Sequence, residues 1–180
     1  MGYNRSADKI FKQKEVAAEM LLGVMSDTHD DMESIRKAVD FFNSKKVRMV
    51  LHAGDLVSPF TFEALNLLEA DFAGIFGNND GDRLLLHQKS GGRLFSQPHI
   101  LELDGRRLVL VHEPRVVEEL AASGRFDAVI YGHLHRPDIR REKGKGALIL
   151  SPGKVARLHK GESTAALLDT GTMEAEIFRL

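Results

Sequence analysis

The chain has 180 residues, 43% of them hydrophobic and 28% charged, with a formal net charge of -1 and no cysteine. That balance fits one globular domain with its own core, and it excludes an intrinsically disordered chain, a disulfide scaffold, a thiolate metal site and thiol redox chemistry. A near-neutral charge speaks against general nucleic-acid binding, and no apolar run reaches the ~20 residues of a membrane helix, so no membrane is expected and the cytoplasm is the expected location.

Residues 1–20 read as an N-terminal arm and residues 21–180 as a single domain. In the arm Lys9, Lys12, Lys14, Glu15 and Glu19 interrupt any apolar region that a signal peptide would need. The first strand is the unbroken apolar run 21–25, the pattern of a strand buried on both faces. After a polar turn, Met32, Ile35, Val39 and Phe42 recur at helical spacing, predicting a helix over 32–45 with Asp31 as its cap. A second buried strand covers 47–52. Ser58-Pro59 has the sign of a helix start, with Phe60, Ala64, Leu67 and Leu68 as its inner stripe. A third strand covers 72–76, and a short helix 83–89.

This βαβαβ order implies a largely parallel sheet. The second half is different. Residues 100–103 and 108–112 read as a hairpin around Asp104-Gly105, and 114–123 as a helix that turns Val116, Val117, Leu120 and Ala121 inward and ends at Gly124. Strands follow at 128–131, 139–142, 147–150, 164–168 and 174–178. The predicted fold class is α/β, two mixed β-sheets packed as a sandwich with flanking helices.

Polar residues with metal-binding side chains fall at the ends of these strands: Asp27 and His29, Asp55 after Gly54, Asn78-Asn79-Asp80 after Gly77, His112, and His133 and His135 after Gly132. Taken singly, each has an ordinary structural role, a helix cap for an aspartate or a packed strand end for a histidine. Taken together, they lie about one strand-helix unit apart, and parallel neighbouring strands would gather them at one sheet edge, where ligands of open α/β sheets sit. Oxygen and imidazole donors of this kind suit divalent cations. Asp55, with two carboxylate oxygens on a tight turn, is the natural bridge between two of them.

The set Asp27-Thr28-His29, Gly54-Asp55, Gly77-Asn78-Asn79-Asp80, His112-Glu113 and Gly132-His133-Leu134-His135 resembles the calcineurin-like metallophosphoesterase superfamily, and with Ser151-Pro152-Gly153 its small prokaryotic phosphodiesterase branch. The resemblance implies the αββα metallophosphoesterase fold. It implies one metal site of Asp27, His29, Asp55 and His135 and another of Asp55, Asn78, His112 and His133. It also implies two divalent ions per chain, with Mn expected and Ni, Fe, Zn or Mg accepted by the same donors. Many members carry a His directly after the metal-binding Asn, where it protonates the leaving oxygen. Here that residue is Asn79, an amide that donates hydrogen bonds but cannot act as an acid.

The expected activity is that of a phosphodiesterase acting on small phosphodiesters by attack of a metal-bridging hydroxide. Asn79 and Asp80 are the candidate catalytic residues, orienting substrate or a ligand histidine; Asp80 has capping of the helix after Gly81 as its alternative. Against the phosphodiesterase stand a catalytically weak or silent scaffold of the same fold, as in the retromer subunit, a phosphomonoesterase, and a nuclease. The nuclease is disfavoured by two Tyr and no Trp for base stacking. His52 reads as a packed strand end, His87, His99 and His159 as surface residues, and Arg136, Arg140, Arg141, Lys143 and Lys145 as a solvated basic tip. Arg157 is a residue that a substrate could meet. A homodimer or higher homo-oligomer fits the strand-rich surface.

Overall fold

A computed structural model describes residues 20–141, 146–157 and 161–180. The arm residues 1–19, the predicted hairpin tip with Lys143 and Lys145, and His159 lie outside the described residues.

The first sheet takes β1 (Leu21–Met25), β2 (Met49–His52), β3 (Asp71–Ile75), β4 (Leu94–Phe95), β10 (Thr164–Asp169) and β11 (Glu174–Arg179) in the order β11-β10-β1-β2-β3-β4. β1 to β4 are parallel, and β10 and β11 are antiparallel to their neighbours. The second sheet takes β5 (His99–Leu103), β6 (Arg106–Leu110), β7 (Ala128–Ile130), β8 (Pro137–Arg141) and β9 (Leu148–Pro152) in the order β5-β6-β7-β9-β8. Its centre, β6-β7-β9, is parallel, and β5 and β8 are antiparallel edges.

The two sheets pack face to face through Leu22, Val24, Leu51 and Ile75 on one side and Leu108, Leu110, Ile130 and Leu150 on the other. The outer face of the first sheet is covered by α1 (Met32–Lys45), α2 (Phe62–Leu65) and α3 (Arg83–Lys89), with Ile35, Phe42, Phe62 and Leu86 buried beneath. The outer face of the second sheet is covered by α4 (Val117–Ala122), through Val117 and Ala121 against Val109, Val129 and Ile149. Each of the valine, leucine, isoleucine and phenylalanine side chains contributes about 1.5–3 kcal/mol on burial. α1 starts and ends as the sequence predicts: the Asp31 carboxylate accepts from Ser34 N at 3.1 Å, and Lys46 closes the helix in the left-handed region.

Two local expectations are corrected. Ser58-Pro59 opens a 3-10 turn, Pro59–Thr61, before α2, and this tighter winding rotates the inner face. Phe62, Ala64 and Leu65 point in, whereas Phe60 and Leu67 are exposed. The same happens at Pro114–Val116 before α4, which leaves Val116 exposed. The short edge strand β4 has no sequence signal beyond two residues.

Register carries the fold to its site. Met25 pairs with His52, and His52 with Gly74. Leu110 pairs with Ile130, and Ile130 with Leu150. The carboxyl ends of six parallel strands therefore open onto one edge of the sandwich, three from each sheet.

Candidate metal centre

The loops after β1 and β2 are joined by backbone bonds: Asp27 N donates to Gly54 O at 3.0 Å, and Thr28 N and His29 N donate to Asp55 O at 3.0 and 3.1 Å. This turns Asp27, His29 and Asp55 into the left-handed region, at φ of 54°, 39° and 62°, and His133 and His135 adopt it too, at 69° and 56°. Such conformations are costly for non-glycine residues and cluster at functional sites. Two glycines make room for the arrangement. A Cβ on Gly77 would lie 2.2 Å from Asp55 Oδ1, and one on Gly132 would lie 2.1 Å from Ser26 Oγ and 2.9 Å from Asp27 Oδ2.

All seven predicted donors are brought together, in two groups. In the first, Asp27 Oδ1 is 3.6 Å from His29 Nε2 and 3.2 Å from His135 Nε2, and the two histidine nitrogens are 3.2 Å apart. In the second, Asn78 Oδ1 is 3.0 Å from His112 Nε2 and 2.9 Å from His133 Nδ1. Asp55 Oδ2 stands between them, 3.7 Å from His29 Nε2 and 3.2 Å from His112 Nε2. Donors bound to one ion at about 2.0–2.2 Å sit roughly 3.0–3.5 Å from each other, so these spacings fit a common cation in each group.

The hydrogen bonding supports the same fit. His112 Nδ1 lies 2.7 Å from Ala53 O and carries the proton there, which aims the Nε2 lone pair at the oxygens of Asn78 and Asp55. Lone pairs facing acceptors are what a cation reconciles. Asp27 Oδ2 accepts from His133 N at 3.0 Å, while its buried Oδ1 accepts no hydrogen bond. Burial opposes the charged form of Asp27, yet His29, Ser26 and the neighbouring imidazoles hold its carboxyl below the usual range. Asp55 behaves alike: burial raises it, but His112 and Asn79 hold it well below the usual carboxylate range. Asp27, Asp55 and His112 are buried, whereas Asn78, Asn79 and His133 are exposed, so the second group is the one open to solvent.

The residues around the donors have tasks that the sequence did not disclose. Asp80 neither caps α3 nor reaches a histidine. Its Oδ2 accepts from Gly77 N at 2.7 Å and Asp55 N at 3.1 Å, and its Oδ1 from Val57 N at 2.7 Å. Asp82 is the cap, accepting from Leu85 N. Asn79 is tied to the bridge, its N donating to Asp55 Oδ1 at 2.8 Å and its Nδ2 to Oδ2 at 2.7 Å. Arg83 braces the same loop through Gly77 O at 3.0 Å and Asp80 O at 3.3 Å. His52 is fully buried, as expected of a packed strand end, and it also holds the site. Its Nδ1 accepts from Gly54 N at 3.1 Å, so Nε2 donates to Thr28 Oγ1, also at 3.1 Å. Burial pushes its pKa down to about 3. The late loop supports Asp27 from below, with Val155 N donating to Ser26 O and Ala156 N to Asp27 O. Arg157 is engaged with Glu33 at 2.6 Å and its N with Asp31, away from the donors. Among the described residues of the basic tip, Arg140 pairs with Glu118 and Asp138, and Arg141 donates to Met173 O. His87 bonds Leu94 O through Nδ1, and His99 stacks on Phe95 with ring centroids 4.0 Å apart.

The chain has relatives among known proteins. The profile of the calcineurin-like phosphoesterase superfamily domain matches residues 20–173. Phosphodiesterase MJ0936 of Methanocaldococcus jannaschii is 35% identical over 163 residues, which cover 86% of this chain and 96% of that protein. The solved structure of an archaeal phosphodiesterase superposes with a TM-score of 0.82 at 33% identity, covering 89% of this chain and 100% of the other. Vacuolar Protein Sorting 29 from Cryptosporidium parvum shares the fold alone, with a TM-score of 0.65 at 15% identity over 90% of this chain and 98% of its own.

Proposed function

The chain belongs to the calcineurin-like phosphoesterase superfamily, a metal-dependent family of phosphoric ester hydrolases, and from this premise we propose that it cleaves small phosphodiesters with two divalent cations, Mn first among them. Asp27, His29, His135 and Asp55 would hold one ion, and Asp55, Asn78, His112 and His133 the other. The observation that carries this reading is the position of Asp55 Oδ2, shared between a donor group at His29 and one at His112. When bound, the cations supply a nucleophilic water at neutral pH and neutralise phosphoryl oxygens.

The protein's own residues do the rest. Asn79 fixes both oxygens of the bridging carboxylate, Asp80 fixes the backbone at Asp55 and Val57, and Arg83 fixes the loop that carries Asn78 and Asn79. The exposed Asn78 and His133 mark the side from which the phosphoryl group arrives. With an amide at position 79 the leaving oxygen receives no proton from that residue, so esters of acidic alcohols are the better substrates. The scaffold alternative rests on a likeness of fold and has no observation of its own. A homodimer or higher homo-oligomer is also proposed, supported by the edge strands β11, β4, β5 and β8 among the described residues; light scattering after gel filtration tests it.

The activity is tested by hydrolysis of bis(p-nitrophenyl) phosphate with added Mn. Turnover by the wild type and none by Asp55→Ala is expected. An Asp55→Ala protein as active as the wild type would overturn the mechanism.

A further inference from the structure

Behind the turn that carries His133 and His135 lies a cavity of 440 Å³. Leu134, between the two histidines, forms one wall, and Pro114, two residues past His112, forms another. The cavity is therefore one or two residues along the chain from three of the seven donors, and it falls within the usual size of small-molecule sites.

Its polar side is a fixed chain of bonds. Tyr131 Oη donates to Asp138 Oδ2 at 2.8 Å, and Arg140 Nε donates to the same oxygen at 2.9 Å. Arg140 then grips Glu118 through Nη1 at 3.1 Å and Nη2 at 2.5 Å. The frame stands ready-made, which lowers the cost of binding. Arg136 is different. Among the described residues its guanidinium has no acceptor, and only its backbone oxygen is engaged, accepting from Ser151 Oγ at 3.2 Å. Arg136 and Arg140 against Glu118 and Asp138 give two charges of each sign, a formal total of zero.

A cavity of zero formal charge, walled by Leu134 and Pro114 and edged by fixed polar groups, suits neither an acyl chain nor a multiply charged group. We propose that it receives one ester group of the phosphodiester and selects a polar, uncharged alcohol of nucleoside size, with Arg136 as the specificity-determining residue that donates to it. This rests on the phosphodiesterase reading above.

Two esters with the same leaving group test it: bis(p-nitrophenyl) phosphate and the p-nitrophenyl ester of a nucleoside 5′-phosphate, both with Mn-loaded protein. The wild type should prefer the nucleoside ester in kcat/KM. Arg136→Leu, a change at an exposed side chain, should lower that preference about tenfold or more, the scale of a lost bond to a charged donor, and Arg136→Lys should restore part of it. A wild type without preference, or a preference within about twofold of wild type in Arg136→Leu, overturns the cavity's role and leaves the activity standing. Failure of the wild type to cleave either ester overturns the phosphodiesterase reading and this inference with it.

Discussion

The Asp80 carboxylate accepts three backbone N–H groups, and one of them belongs to Asp55 itself. Asp80→Asn keeps the shape but turns an amide N–H toward a donor. Stability in urea should fall by about 2–4 kcal/mol, and Mn affinity should fall with it. A variant as stable as the wild type would mean that these bonds contribute nothing net. His52 allows a test with pH. Its folded pKa is depressed to about 3, so below the unfolded value near 6.5 the unfolded chain takes a proton that the native protein refuses. That term is absent above pH 6.5 and grows as pH falls toward 3. Against His52→Gln, which loses the bonds to Gly54 and Thr28 at every pH, the stability advantage of the wild type should shrink by about 1 kcal/mol per pH unit below 6.5, in urea titrations of metal-free protein. A gap that stays constant with pH would show His52 to be accessible to protons in the fold. The donors themselves were legible, since Asp, Asn and His at strand ends announce their chemistry. Asp80, Arg83 and His52 were not, because most of their partners are backbone groups, which no side-chain motif marks.

The sequence pattern located β1 and α1 to the residue, through an unbroken apolar run in the one and an apolar stripe with a side-chain cap in the other. It failed at Pro59 and Pro114, where a proline start was read as an α-helix and the chain winds as a 3-10 turn instead. The two readings of the first segment bury different phenylalanines, so substitution separates them. Phe62→Ala should cost about 3–5 kcal/mol, and Phe60→Ala no more than about 0.5 kcal/mol, in urea unfolding. Equal costs would restore the inward Phe60 that the sequence suggested. At the same scale, Gly132→Ala would drive a methyl into Ser26 Oγ and Asp27 Oδ2, and the loop cannot yield without breaking the bond from His133 N. Loss of Mn-dependent turnover is expected even where circular dichroism shows the fold intact; full activity would mean that the loop moves freely.

The whole sandwich serves to bring six strand ends to one edge. The βαβαβ order implied the first sheet, and the later strands implied a second, but which residues cross-pair was fixed only by register, Met25 with His52 and Leu110 with Ile130. No alternation pattern reports that for strands buried on both faces. Because the donors come from both sheets, cations that bind them cross-link the two layers and bind only the folded state. Chelation should therefore lower the melting temperature, and Mn should raise it with increasing concentration. The most direct measurement is the number of ions per chain, by elemental analysis of protein stripped with chelator, reloaded with Mn and freed of excess. Two ions per wild-type chain, one in a His29→Ala/His135→Ala double variant and a loss of both in Asp55→Ala are expected. A wild type that saturates at one ion or none, or an Asp55→Ala protein that still holds two, would contradict the shared bridge on which the site is built.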